Sequence, residues 1–144
     1  MKSIYLIGSL RNPKVPYVGR DLRLIGFDVF DDWHGVGPEA DDRWQEYEKI
    51  RGRSYGAALP GRANVHTFEF DKSNLDRCHM GVLLMPAGKS CHLELGYMIG
   101  QGKPGLVVFE EEPERWDAMY LFASWVFFNY DKFLDHMKQE AGNE

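Results

Sequence analysis

The feature that most constrains the fold of this chain is a pair of apolar runs separated by a glycine-containing helical stretch. One run extends from Met80 to Met85 and is closed by Pro86, and the other extends from Gly105 to Phe109. Residues 88–100 between them have a composition typical of a loop followed by a helix. The order strand, loop, helix, tight turn, strand predicts a parallel βαβ unit, in which ligands bind beside the carboxyl ends of the strands.

A second unit of the same kind opens the chain. Ser3 to Ile7 predicts a strand, the apolar spacing in Val18 to Ile25 predicts a helix, and Phe27 to Phe30 predicts another strand. Two such units predict an α/β fold with a doubly wound parallel sheet, Rossmann-like or flavodoxin-like, flanked by helices. Further elements are expected as helices over Asp41 to Ile50, Trp116 to Ser124 and Asp131 to Gln139, a short strand over Val126 to Phe128, and a helix that starts at Asp71 after a strand-like stretch over Phe68 to Phe70.

The length and charge of the chain limit its organisation and its partners. At 144 residues the sequence predicts a single domain over residues 1–144. Residues 35–60 are polar and contain many aromatic and glycine residues, which predicts an insertion that acts as a lid or as an oligomer contact. The net charge of −5 argues against a nucleic-acid partner.

Two observations bear on the compartment in which the chain works. No apolar stretch approaches the length needed to cross a bilayer, and the N-terminal apolar run is too short for a signal peptide. Cys78 and Cys91 lack a metal-type spacing, which favours free thiols in a reducing environment. We therefore expect a cytoplasmic protein with no membrane contact and no metal site.

Glu94 is the first candidate for chemistry. It is expected in the first turns of the helix that follows the apolar run ending at Met85, where an acid can point into a ligand crevice. Tyr5 lies on the first strand, which normally neighbours the strand before that helix, and its phenol can orient the carboxylate. A carboxylate directed at an anomeric carbon is a good nucleophile for a glycosyl group. The alternative is a charge that only stabilises the helix N-terminus.

The loop after the first strand is a candidate anion site. Gly8 and Ser9 are small enough to let a ligand approach the backbone, and Arg11 offers a forked donor suited to phosphate or carboxylate. The loop matches neither a phosphate-binding P-loop nor a complete G-x-G-x-x-G pattern. An ordinary strand-to-helix turn is the alternative.

Two further residues are candidates at other strand ends. Asp71 either caps the helix that follows it or acts as a general acid on the nitrogen of a leaving base. Trp33, in the loop after the second strand, either stacks on a nucleobase or packs beneath the insertion.

Together these residues resemble the nucleoside 2-deoxyribosyltransferase family, which includes related 2′-deoxynucleoside 5′-phosphate N-hydrolases. The resemblance extends from Lys2 to about Met137. Its most specific part is the segment around Glu94, which is similar to the helix that carries the family's nucleophile and to the turn after that helix. The segments that carry it are Ile4 to Ser9, Asp71, Leu84 to Ser90, and Leu93 to Tyr97 followed by Gly100, Gly102 and Lys103.

The resemblance implies a two-step displacement without a metal or an organic cofactor. Glu94 would attack C1′ of a 2′-deoxyribosyl group, Tyr5 would position Glu94, and Asp71 would protonate the departing base. A second base would then accept the sugar in a transferase, or water in a hydrolase. The family also implies a homo-oligomer, a dimer or larger, in which Asn129 would contact the sugar bound by a neighbouring subunit.

The sequence departs from the family's transferases in ways that leave the substrate open. His79 stands where the family often has an aspartate, and Gly88 or Lys89 falls where transferases carry a sugar-binding aspartate. The loop at Gly8 to Arg11 looks more like the phosphate-facing loop of the N-hydrolases. Ser9, Arg11, Lys89 and Ser90 could together receive a 5′-phosphate. Three functions remain open: transfer of the sugar to another base, hydrolysis of a 2′-deoxynucleoside 5′-monophosphate, and binding of a nucleotide without turnover.

Overall fold

A parallel sheet of five strands in the order β2-β1-β3-β4-β5 lies at the centre of the molecule. The structure is a computed structural model, and it describes residues 1–143. All four strand pairings are parallel, which confirms the predicted α/β fold with a Rossmann-like sheet. The strands are β1 (Ser3–Ile7), β2 (Asp28–Phe30), β3 (Met80–Leu84), β4 (Gly105–Val108) and β5 (Trp125–Phe127).

Helices cover both faces of this sheet. Helices α1 and α6 pack over one face, and α4 and α5 pack over the other. Single turns of 3-10 helix cover Asp32–Val36 and Ala118–Phe122. The helices are α1 (Val15–Ile25), α2 (Ala40–Ile50), α3 (Tyr55–Ala58), α4 (Arg62–Arg77), α5 (Lys89–Gly100) and α6 (Tyr130–Gly142). Among the described residues, none of these helices is long and apolar enough to cross a membrane.

The alternation of side chains along β1 decides which residues reach the candidate site. Ile4 and Leu6 are buried beneath α1 and α6, whereas Tyr5 and Ile7 are buried on the opposite face with residues of α4 and α5. Because successive side chains in a strand point to opposite faces, the position of Tyr5 in the strand directs its ring towards α5.

Two glycines allow α5 to lie close to the sheet. A Cβ on Gly81 of β3 would stand 2.8 Å from the sulfur of Met98, and one on Gly105 of β4 would stand 2.7 Å from Ile99. Real Cβ atoms essentially never come this close to another atom, so a larger residue at either position would force Met98 or Ile99 of α5 to shift. These glycines therefore help to bring Glu94, on the same helix, within reach of β1.

The expected strand-like stretch over Phe68 to Phe70 and the helix start at Asp71 are both wrong. A single helix, α4, runs through this region, and Asp71 lies in its interior. The sequence from 62 to 77 contains no glycine or proline to interrupt a helix. Phe68 and Phe70 are both exposed, so their alternation with Glu69 did not mark the buried face of a strand.

The expected helix over Trp116 to Ser124 is also shorter than predicted. Only Ala118–Phe122 forms a helical turn, and the Asp117 carboxylate caps it by accepting a 2.8 Å hydrogen bond from the backbone N–H of Met119.

Near the start of the chain, α1 begins three residues earlier than the expected Val18. Pro16 is compatible with this start because proline is tolerated in the first turn of a helix.

The insertion over residues 35–60 has its own charged centre. The Glu48 side chain is buried, and its two carboxylate oxygens accept hydrogen bonds of 3.0 Å from Arg51 and 3.1 Å from Arg53. Asp42 of α2 forms a 3.0 Å ion pair with Arg11, which lies in the loop after β1. The insertion is thus tied to the carboxyl end of the sheet by an exposed ion pair.

Candidate active site

The candidate site lies where β1 and β3 run side by side at the centre of the sheet. The chain leaves β1 for β2 on one side, whereas β3 continues to β4 on the other. A reversal of this kind opens a crevice at the carboxyl ends of the two strands, where open α/β sheets bind their ligands. The loops that leave β1 and β3 form its edges, and they lead to the N-termini of α1 and α5.

The central contact in this crevice joins β1 to α5. The Tyr5 hydroxyl donates a 2.8 Å hydrogen bond to Oε2 of Glu94. Tyr5 is 1% exposed, so its ring is fixed by packing, while Glu94 is half-buried in the second turn of α5. The predicted pairing of these two residues is therefore present.

The electrostatic environment of Glu94 is unusual for a carboxyl group. Burial raises its pKa to about 7, the hydrogen bond from Tyr5 opposes this rise, and the nearby charge of Asp71 adds to it. Burial also raises the pKa of Asp71 above its ordinary range. The pKa of Tyr5 is raised by burial and by both acids, so its hydroxyl remains a hydrogen-bond donor. Perturbed groups that cluster in a cleft are typical of functional sites.

The structure thus brings Tyr5, Asp71 and Glu94 together, although Asp71 reaches the site differently from the prediction. It projects from the interior of α4 rather than from a helix cap. Asp71 is half-buried, and its charge raises the pKa of both Tyr5 and Glu94. The side chains supplying the three groups come from β1, α4 and α5.

Sequence reasoning missed two aromatic residues beside this triad. The ring of Phe30 lies 5.0 Å from that of Tyr5, and the ring of Phe70 lies 5.7 Å from that of Phe30. Phe30 is buried, whereas Phe70 is 51% exposed and gives the crevice an apolar edge next to Asp71. The signal that could have revealed Phe70 is its place immediately before the candidate acid, once α4 is known to be one helix.

In the loop predicted to bind an anion, the arginine already has an acidic partner. Ser9 accepts a 3.1 Å hydrogen bond from the backbone N–H of Arg11, whose guanidinium pairs with Asp42. Gly8 packs tightly, since a Cβ there would stand 3.1 Å from Val15.

The first turn of α5 forms the facing edge of the crevice. Gly88 is its N-cap residue and supplies no side-chain cap. Ser90 is exposed in the same turn. Uncapped N–H groups at the start of a helix favour an anion.

Two further residues predicted to contact the substrate, Trp33 and Asn129, have partners within their own chain. Trp33 is half-buried, because its indole N–H donates a 2.8 Å hydrogen bond to the Leu6 carbonyl and its ring packs against the core. Asn129 follows β5 and caps α6 by accepting a 3.0 Å hydrogen bond from the backbone N–H of Lys132. Because β5 is two strands away from β3, Asn129 lies away from the crevice of its own chain.

An exposed apolar surface adjoins the start of α5. It is formed by residues 116–128, here called the aromatic segment, in which Trp116 is 83%, Leu121 91% and Phe122 73% exposed. His92, two residues before Glu94, touches this segment through a 2.9 Å hydrogen bond between its Nε2 and the Tyr120 hydroxyl. A groove of about 380 Å³ runs between α5 and the segment. Exposed patches of this kind are typical of binding surfaces.

Metal-binding groups do not converge in this region. Across the described part of the chain, no group of three or more histidine, cysteine, aspartate or glutamate side chains is arranged to hold a metal ion. Cys78 and Cys91 are free and buried, and burial raises the pKa of each thiol.

Comparison with known proteins identifies the fold. No model of a known protein family matches the sequence, and no curated protein matches it significantly. Among solved structures, the chain is similar to the Clostridium botulinum CMP N-glycosidase BcmB, with a TM-score of 0.57 and 13% sequence identity. The match covers 94% of this chain and 98% of the other. The chain therefore shares the fold of that protein over almost its whole length.

Proposed function

We propose that this protein cleaves the N-glycosidic bond of a nucleoside 5′-monophosphate or a 2′-deoxynucleoside 5′-monophosphate, with Glu94 as the nucleophile. The observation that carries the proposal is the 2.8 Å hydrogen bond from Tyr5 to Glu94 beside the carboxyl group of Asp71. The fold shared with a protein named as a CMP N-glycosidase supports it. The family resemblance of the same three residues supports it independently of that fold.

The proposed first step is a displacement at C1′ of the sugar. A carboxylate oxygen of Glu94 forms a bond to C1′ while the bond between C1′ and the base nitrogen breaks and its electron pair passes to the base. Asp71 donates a proton to the departing base, which would otherwise leave as an anion. Tyr5 holds the nucleophile in one orientation. The product of this step is a glycosyl ester on Glu94 and a free base.

This division of roles requires the two acids to hold different protonation states. Glu94 must be ionised, and Asp71 must carry the proton that it donates. Two neighbouring carboxyl groups resist double ionisation, so the pair retains one proton to a higher pH than either acid would alone. Activity therefore follows a bell-shaped pH profile, because it rises as Glu94 becomes ionised and falls as the pair loses the proton held by Asp71. Burial raises the pKa of both acids, which moves both limbs of the profile above the ordinary carboxyl range.

The second step decides between hydrolysis and transfer. When water attacks C1′, the bond to Glu94 breaks and its electron pair returns to the Glu94 carboxylate, while the proton lost by the water passes to Asp71; this outcome gives a hydrolase. A second base that attacks C1′ in the same way, and gives its proton to Asp71, gives the transferase that the family resemblance also allows. The loop after β3 carries Gly88 and Lys89 where the transferases carry a sugar-binding aspartate. This difference favours hydrolysis, and we take it as the primary activity.

The 5′-phosphate of the substrate is proposed to bind between the two loops that edge the crevice. Ser9 and Arg11 lie on one side, and the uncapped start of α5 with Gly88 and Ser90 lies on the other. The ion pair of Arg11 with Asp42 is exposed, and pairs of this kind contribute only about 0–1 kcal/mol. A phosphate can therefore replace Asp42 as the partner of Arg11, which would release α2 and give the insertion a lid function.

The aromatic segment is proposed to bind a second copy of the same chain. It is apolar and exposed, and it contacts α5 through His92, two residues from the nucleophile. A subunit seated there would lie next to the neighbouring crevice. Such a homodimer would allow Asn129 to reach the sugar bound by its partner, as the family resemblance implies.

The proposal is tested by following products after incubation with CMP, dCMP and deoxycytidine, each with and without a free acceptor base. Release of free base from a monophosphate is expected for the wild-type protein, and its loss in Glu94→Gln. The control is Glu69→Gln, which removes an exposed carboxyl from α4 and should retain activity. A new nucleotide made with the acceptor base would establish transfer instead. Binding without any product would identify a nucleotide-binding module and refute the catalytic proposal.

A further inference from the structure

A second polar cluster joins α4 to α5, about one helical turn away from the acids. The Asp76 carboxylate accepts hydrogen bonds through Oδ1 from the Tyr97 hydroxyl, at 2.5 Å, and from the Gln101 amide, at 2.9 Å. Lys72, on the same helix as Asp76, lies 3.0 Å from Oδ2 and also faces the Tyr97 ring at 5.7 Å. These donors hold the pKa of Asp76 below its ordinary range.

A lysine from the turn after α5 completes the cluster. The ammonium group of Lys103 donates hydrogen bonds to the backbone carbonyls of Leu75, at 2.8 Å, and Asp76, at 2.9 Å. These carbonyls lie in the last turn of α4, where unpaired acceptors and the helix dipole favour a cation. We call Lys72, Asp76, Tyr97, Gln101 and Lys103 the α4–α5 clamp.

The clamp connects the two helices that carry the candidate acids. Asp76 lies five residues after Asp71 on α4, and Tyr97 lies three residues after Glu94 on α5. Residues three apart on a helix are neighbours on its surface, so a contact that holds Tyr97 in place also holds Glu94 in place. Between the acids themselves the interaction is repulsive, since the charge of Asp71 raises the pKa of Glu94.

We propose that the α4–α5 clamp is a positioning device that fixes the separation of Asp71 and Glu94 by holding α4 against α5. The inference rests on the proposed function, because the separation of the two acids matters only if both act on one substrate. Its members are positioning residues that act through α4 and α5. A change of about 1 Å in a reacting group can cost about 10²-fold in rate. The clamp therefore acts on turnover more than on substrate binding.

Loss of the clamp also has a predictable effect on pH dependence. Among the described residues, the titratable groups that face Glu94 are Tyr5 from β1, Asp71 from α4 and Cys91 from α5 itself. If α4 moves outward, Glu94 loses the repulsion of Asp71 and part of its burial, and both changes lower its pKa. The acid limb of the activity profile then moves to lower pH.

The test uses Tyr97→Phe and the double variant Tyr97→Phe/Lys103→Met in the full-length protein. We expect kcat to fall by about 10- to 100-fold in the double variant, with KM within about 3-fold of wild type and the acid limb displaced to lower pH. The double variant Tyr97→Phe/Lys103→Arg should recover much of the rate lost in Tyr97→Phe/Lys103→Met, because it keeps a cation at the α4 carbonyls. The pKa of the Glu94 carboxyl is measured in parallel by carbon NMR titration.

The matched control is Asp28→Ala, which breaks the exposed 3.0 Å ion pair between Asp28 and Arg77 at the same end of α4. That pair ties α4 to the start of β2 and makes no contact with α5, so kcat and the Glu94 pKa should not change. A lower kcat with an unchanged Glu94 pKa would overturn the proposal, as would equal behaviour of the clamp and control variants. If the wild-type protein cleaves no N-glycoside, the NMR titration still tests the clamp while the proposed function fails.

Discussion

The crevice and the aromatic segment depart from the usual distribution of residues in opposite directions. In the crevice, the carboxyl groups of Asp71 and Glu94 are drawn away from water, and burial raises the pKa of both. In the aromatic segment, large apolar side chains face water, with Leu121 91% exposed. Folded proteins normally bury apolar groups and expose charged ones.

The contrast separates two kinds of function. Burying an acid costs stability, so a chain that does so at the carboxyl ends of its strands gains reactivity there. Exposing tryptophan and leucine costs solubility unless another surface covers them, which is the reason that we propose the aromatic segment as an association surface. The two regions meet at α5, where His92 contacts Tyr120 two residues before the candidate nucleophile.

The strongest test of the crevice is the removal of the proposed proton donor. Asp71→Asn keeps the shape of the side chain but cannot protonate the base, and kcat should fall by about 10²- to 10⁴-fold. The acid limb should also move to lower pH, because the charge that raises the Glu94 pKa is gone. Steady-state kinetics across pH 5–9, about two units on either side of neutrality, measures both effects. Glu69→Gln on the same helix is the control, and an equal loss in that variant would refute the role of Asp71.

The aromatic segment is tested by placing a charge in its centre. Leu121→Glu should weaken self-association by about 100-fold or more, because it buries a carboxylate in an apolar interface. Analytical ultracentrifugation measures the dissociation constant. Leu24→Glu, at a position 79% exposed on α1, is the matched control and should leave association unchanged. A wild-type protein that is monomeric at all accessible concentrations would contradict the assignment of this surface.

A smaller effect is expected when the hydrogen bond to the nucleophile is removed. Tyr5→Phe should reduce kcat/KM by about 10-fold, the value of one hydrogen bond to a charged group. Since this hydrogen bond favours the ionised form of Glu94, the pKa of Glu94 should rise and the acid limb should move to higher pH.

Tyr130→Phe is the control for that variant, because it removes a 2.7 Å hydrogen bond to Asp21 on the other face of the sheet. A shift of the limb to lower pH in Tyr5→Phe would contradict the direction of the proposed interaction.

The smallest effect concerns the phosphate. Arg11→Ala should raise KM for a nucleoside monophosphate by about 5- to 10-fold, in line with the loss of one charge-assisted contact, and leave KM for the free nucleoside nearly unchanged. Arg20→Ala removes another exposed arginine of the same half of the chain and serves as the control. Equal increases in KM for both substrates would rule out Arg11 as a phosphate ligand.

The sheet and the pairing of Tyr5 with Glu94 could be predicted because both follow from local patterns. Apolar runs bounded by glycines identify the strands, and adjacent β1 and β3 place the tyrosine beside the helix after β3. The secondary structure around Asp71 was not predicted, because the alternation of Phe68 and Phe70 imitates a strand where the structure has the interior of α4. The role of Asp71 stays a prediction.

The remaining features depend on tertiary contacts that no local pattern encodes. The clamp exists because the packing of α4 against α5 brings Asp76 to Tyr97, two residues that are 21 positions apart. The half-burial of Trp33 depends on a carbonyl of β1, and the exposure of residues 116–128 depends on the absence of a covering element among the described residues.

The most direct test of the central claim is to detect the glycosyl ester on Glu94. A 2′-fluorinated nucleoside monophosphate slows both steps because fluorine destabilises the oxocarbenium-like transition states, which allows the intermediate to accumulate. After acid quenching, mass spectrometry of the digested protein should show the mass of the sugar phosphate on the peptide that contains Glu94, and no adduct in Glu94→Gln. Turnover of substrate by Glu94→Gln at the wild-type rate, or an adduct on another residue, would contradict the account.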